Sequence, residues 1–104
     1  MSPVKDQLQI LPPGGVSLRG RLGKALEKSI SHRLKKVDYD HLVAPFRDRN
    51  ERDGRWRCEF WGKIVRSAIR SWHAVPDPEL EQLIRKTVHD LCTTQTPDGC
   101  ISSY

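Results

Sequence analysis

A chain of 104 residues has room for one small domain and not for two. With 37% hydrophobic and 30% charged residues it is wetter than most globular domains, yet apolar enough to exclude wholesale disorder. The net charge of +5 is lopsided, because residues 1–36 hold eight Lys/Arg against Asp6 and Glu27.

The first fifteen residues lack the basic-then-apolar pattern of a secretory signal, and no stretch of the chain approaches the ~20 apolar residues of a membrane span. The expectation is a soluble chain, cytoplasmic by default, without a membrane partner. Residues 1–15 close on Leu11-Pro12-Pro13-Gly14-Gly15, which breaks helix and strand alike and reads as an extended lead-in. Residues 16–104 read as one helical domain.

In VSLRGRLGKALEKSISHRLKKV, Leu18, Leu22, Leu26, Ile30 and Leu34 recur at four-residue steps, which predicts a helix with one apolar face. Ser17 is the expected N-cap. Arg19, Arg21, Lys24, Lys28, Arg33, Lys35 and Lys36 are spread over the remainder of that segment. Asp38 to Phe46 is expected to hold at most one short helical turn before Pro45, and RDRNERDGRWR reads as a solvated loop.

From Cys58 the periodicity returns. Trp61, Ile64, Val65, Ala68, Ile69 and Trp72 fall on one face of a second helix. Val75-Pro76-Asp77-Pro78 stops it and starts another, with Asp77 as N-cap, Pro78 at the first helical position, and Glu79 and Glu81 in the first turn. Leu80, Leu83, Ile84, Val88 and Leu91 make the expected buried stripe of this third helix. The short link forces the last two helices into an antiparallel hairpin. No stretch alternates with period two, so the fold class is all-α: an antiparallel helical hairpin plus a preceding helix.

Thr96-Pro97-Asp98-Gly99 is a turn signal after which only Cys100 to Tyr104 follow. A turn there aims Ile101 and Tyr104 at a further element, and the expectation is the opening of a larger helical domain, truncated at its C-terminus. Cys58, Cys92 and Cys100, with His32, His41, His73 and His89, show no metal-ligand spacing. No metal site and no cofactor are expected in this chain, and the cysteines read as buried or half-buried thiols.

Three blocks in order, RWRCEFWGKIVRSAIRSW, PDPELEQLI and TQTPDGCISSY, resemble the N-terminal catalytic region of the β-L-arabinofuranosidase-type glycoside hydrolases of family 127. The likeness is closest over Trp56 to Tyr104 and weaker, in the same order, from Val16 to Arg49. It implies the first helices of an (α/α) barrel and carbohydrate as the partner of the complete enzyme. Where members of that family place an aromatic after Asp-Gly, this chain has Cys100. Cys58 stands where a small residue is common and Cys92 where Leu is expected. The family's zinc-bound cysteine nucleophile and its glutamate acid/base lie downstream of the matched region. The resemblance therefore carries over no catalytic residue and no zinc ligand.

The candidate sugar-contacting residues are Trp56 and Trp61, through their flat ring faces, and Glu59, through its carboxylate. Each has a plainer alternative. Trp61 lies on the apolar stripe and suits core packing. Glu59 suits the positive end of a helix dipole and sits four residues before Lys63, at ion-pair spacing. Trp56 follows the Arg-rich loop and suits either an exposed position or a lid.

Two other readings remain. A small basic helical protein could contact nucleic acid or an acidic protein partner, although basic residues spread around the helix and the lack of interleaved aromatics argue against nucleic acid. A helical interaction module would expose an apolar flank and self-associate through it.

Overall fold

The computed structural model describes residues 3–49 and 57–104. All regular structure among them is helical: α1 (Gly20–His32), a 3-10 turn (Leu34–Lys36), α2 (Tyr39–Asp48), α3 (Arg57–Ala74) and α4 (Pro78–Cys92). The antiparallel hairpin expected from periodicity is α3 and α4.

The α3–α4 corner follows its sequence closely. The Asp77 carboxylate accepts the Leu80 N–H at 2.8 Å, and Pro78 opens the helix where its missing N–H costs nothing. Lys35, from the 3-10 turn, adds ion pairs to Asp77 at 2.7 Å and Glu79 at 3.0 Å. The turn that follows α1 is thereby fixed against the start of α4.

The α1 segment is shorter than its leucine repeat predicts. Its N-cap is Arg19, with no side-chain cap bond, so Ser17 does not cap it. Leu18 and Leu22 are 51% and 72% exposed, and only Leu26, Ile30 and Leu34 of the repeat reach the core. Gly23 explains the close entry into this helix. It is buried under the Leu18 carbonyl, where a β-carbon would collide with the oxygen.

The main correction concerns α2. Asp38 to Phe46 is not a single turn but the front of a ten-residue helix with Pro45 inside it. Asp38 caps the helix by accepting the His41 N–H at 2.9 Å. Arg49 ends it in the left-handed region and returns its N–H to the Pro45 carbonyl at 3.0 Å. Proline removes one internal hydrogen bond, but Tyr39, Val43 and Phe46 lie on one face and are all buried. Burial outweighs the lost bond. This helix packs on both α3 and α4. The loop predicted over RDRNERDGRWR begins after Asp48, and residues 50–56 lie outside the described residues.

The core is built from Ile30, Leu34, Ala68 and Leu80, with Leu26, Trp72, Val75 and Ile84 packed around it. Val43, Phe46 and Val65 are also buried. Among its described residues the lead-in has no helix or strand, but it is anchored at one place. The Gly14 N–H meets the His73 carbonyl, and His73 Nε2 meets the Leu11 carbonyl, each at 2.8 Å. The C-terminal end of α3 therefore holds residues 11–14.

Candidate functional site

The N-terminal half of α3 carries the residues that the sequence nominates. Glu59 is exposed and forms an ion pair with Lys63 one turn on, as their spacing implies. Trp61 is half-buried. Its indole N–H is donated to Thr87 Oγ1 on α4 at 2.9 Å, and its ring meets Phe46 of α2 edge to face, with centroids 6.4 Å apart. These contacts make Trp61 the joint of three helices. Trp56 lies outside the described residues. Phe60, which the sequence reading passed over, is 55% exposed beside Glu59.

The last residues return to this same end of α3. In Thr96–Cys100 the Gly99 N–H reaches the Thr96 carbonyl at 2.8 Å and the Thr96 N–H reaches the Cys100 carbonyl at 2.9 Å. Gly99, at φ +90°, is the position that lets both bonds close. Asp98 accepts the Thr96 hydroxyl, which holds its carboxyl below the usual carboxylate range. Past this turn Ser103 is 2% exposed, with its Oγ 2.8 Å from Cys58 Sγ and its N–H donated to the same sulfur at 3.3 Å. Ile101 and Tyr104 are 39% and 65% exposed, so the turn directs Ser103 inward and leaves those two apolar side chains outside.

The cysteines are not alike. Cys58 is half-buried in that contact, whereas Cys92 and Cys100 are exposed, against the expectation of buried thiols. Among the described residues, no group of three or more His, Cys, Asp or Glu side chains gathers as a metal would require.

Two surface features were not legible in full. One is a groove of about 410 Å³ on the open edge of the hairpin, between Ile69 and Trp72 of α3 and Ile84 and Val88 of α4, with Glu81, Arg85 and His89 beside it. Ile69 and Val88 were expected in the buried stripes, and they are instead 44% and 38% exposed. The centre of the α4 stripe is taken by Thr87, a polar residue 1% exposed. Its seven-residue spacing from Leu80 was the available signal.

The other is charge. Because α1 stops at His32, Arg33, Lys35 and Lys36 leave the helix. Those that stay, Arg21, Lys24 and Lys28, are exposed and follow one another at three- and four-residue steps on the face opposite Gly23 and Ile30. The basic residues of the helix thus form a stripe, a correction to the even spread read from the longer segment.

Among the described residues, no helix is long and apolar enough to cross a membrane. No family model matches this chain, and neither does any curated protein or solved structure.

Proposed function

We propose that this chain is a piece of a carbohydrate-active helical domain of the β-L-arabinofuranosidase type, supplying wall rather than chemistry. The observation that carries the reading is the coincidence of the three resembling blocks with three defined structural joints. The Trp-Gly-Lys block lies in the first turns of α3, where Trp61 is pinned to α4. The Pro-Asp-Pro-Glu-Leu block is the capped corner of α4. The Pro-Asp-Gly block is the closed turn that brings Ser103 to Cys58. In this reading the chain holds neither the nucleophile nor the acid that a retaining glycosidase sets on either side of the sugar bond. Among the described residues, Glu59 and the exposed Phe60 form the surface best suited to meet a sugar.

The test is a titration of the protein with methyl β-L-arabinofuranoside, followed by amide and indole NMR shifts. The expected result is a weak, saturable response confined to residues 56–63, with no release of free arabinose. Turnover by this chain alone, or shifts scattered over all helices, would reject the reading.

The stripe of Arg21, Lys24 and Lys28 favours a second reading, a basic helix that contacts an acidic protein partner or the phosphates of a nucleic acid. Its test is salt: binding to a nucleic-acid duplex that drops about 40-fold between 50 and 200 mM, as three phosphate contacts require, would support it.

A further inference from the structure

The α3–α4 groove is apolar, the lead-in carries exposed apolar side chains, and the two are tied together at one residue. The groove floor is Ile69, Trp72, Ile84 and Val88. The lead-in presents Val4, Leu8 and Ile10 to solvent at 91%, 89% and 91% exposure. Isolated exposed apolar side chains are ordinary, but a run of them on a segment tethered to the helix that lines an open apolar groove is not. His73 links the two: its ring holds the Leu11 carbonyl, and it follows Trp72 and lies one turn beyond Ile69 on the same side of α3.

We propose that residues 4–10 fold back over this groove in the same chain, seating Leu8 and Ile10 among Ile69, Trp72, Ile84 and Val88. Reach is ample. Seven residues of extended chain span about 23 Å, against the 8–10 Å that separates packed helices. Charge is compatible as well. The groove edge carries Glu81 and Arg85, paired at 2.8 Å, and the lead-in brings Lys5 and Asp6 as a second pair of opposite signs. The Pro12–Gly15 turn, closed by the Gly15 N–H on the Pro12 carbonyl at 2.9 Å, keeps the root of the strap fixed while its outer part moves. The radius of gyration is 16.9 Å, whereas a compact chain of this length has about 13 Å. Neither the sugar reading nor the basic-helix reading is needed for this inference.

The experiment uses the full chain. Methyl-labelled protein is expected to show nuclear Overhauser contacts from Leu8 and Ile10 to the Trp72 ring and to Ile84 and Val88. The double variant Leu8→Ser, Ile10→Ser is expected to lose these contacts, to bind an apolar dye at least twofold more strongly, and to keep its helical circular dichroism. Those two side chains are outside the folded core, so their loss does not threaten folding. Two results overturn the proposal: no contact between residues 4–10 and the groove, or contacts that appear only between differently labelled chains in a mixed sample. The second would mean that the strap closes on another copy instead of its own groove.

Discussion

The indole N–H of Trp61 and the hydroxyl of Thr87 are partners 2.9 Å apart, and they are the polar pin of the α3–α4 interface. Thr87 is almost wholly buried, and the indole N–H of Trp61 loses its protein acceptor when the hydroxyl is removed. Thr87→Val keeps the shape and removes the acceptor. It is expected to destabilise the protein by about 1–3 kcal/mol in urea unfolding. Thr87→Ser keeps the hydroxyl and should lose less than Thr87→Val. A loss in Thr87→Ser with none in Thr87→Val would mean that the methyl group, not the hydrogen bond, matters at this position.

Two glycines in helices should respond to alanine with opposite signs. Gly62, in the interior of α3, has open space where a side chain would go. Gly62→Ala is expected to gain about 0.5–1 kcal/mol, through helix propensity alone. Gly23 lies under the Leu18 carbonyl, so Gly23→Ala must push the chain entering α1 away. Its thermal midpoint is expected to fall in spite of the same propensity gain. Midpoints measured side by side decide the matter, and a rise in both would show that the Leu18 approach is dispensable.

Asp77 joins a helix cap to an ion pair, and pH separates the two roles. Its carboxyl is held below the usual carboxylate range, first by the Lys35 ammonium and then by the Leu80 N–H. A depressed folded value means that the stabilisation is complete above the unfolded carboxylate value of about 3.9 and drains away as pH falls through the folded value. Asp77→Asn preserves a capping oxygen and removes the charge. The stability gap between the native protein and this variant should therefore be largest near neutral pH and close below about pH 4. Asp77→Ala loses the cap too, at a cost of about 1 kcal/mol that persists at all these pH values. Urea titrations at pH 7, 5 and 3 check both statements.

Thiol chemistry should report the Cys58–Ser103 contact. Cys92 and Cys100 are exposed and Cys58 is half-buried, hydrogen-bonded to Ser103. A disulfide reagent in native buffer is expected to consume two thiols rapidly and the third slowly. In denaturant all three should react together. Ser103→Pro removes the N–H that meets the sulfur and should bring Cys58 into the fast group. Three indistinguishable thiols in the native protein would mean that residues 101–104 do not hold this position in solution.

The elements differ in how openly the sequence announces them. Trp61 to Trp72 and Leu80 to Leu91 repeat at helical spacing, and the Pro-Asp-Pro corner leaves their connection little freedom, so the hairpin could be read directly. The α2 helix was hidden by Pro45. A proline is a strong local signal, and the spacing of Tyr39, Val43 and Phe46 competes with it only through burial that depends on α3 and α4. The length of α1 was overread for the reverse reason. Leu18 and Leu22 continue a repeat that no neighbouring element covers, and periodicity alone cannot tell a buried leucine from an exposed one. At the candidate site, the Glu59–Lys63 pair follows from spacing within one helix. The Trp61–Thr87 bond and the Cys58–Ser103 contact join positions 26 and 45 residues apart, and only the folded chain brings them together.

The placement of α2 across both members of the hairpin bears on what would survive a severed backbone. Arg49 at its far end also reaches over to the Thr94 carbonyl at 3.0 Å, beyond the end of α4. The half of the chain ending there grips the other half through buried Val43 and Phe46 and that arginine, not through the peptide linkage that joins them. Residues 1–49 and 57–104, produced as two separate chains and mixed, should co-elute on a sizing column and part only when denatured.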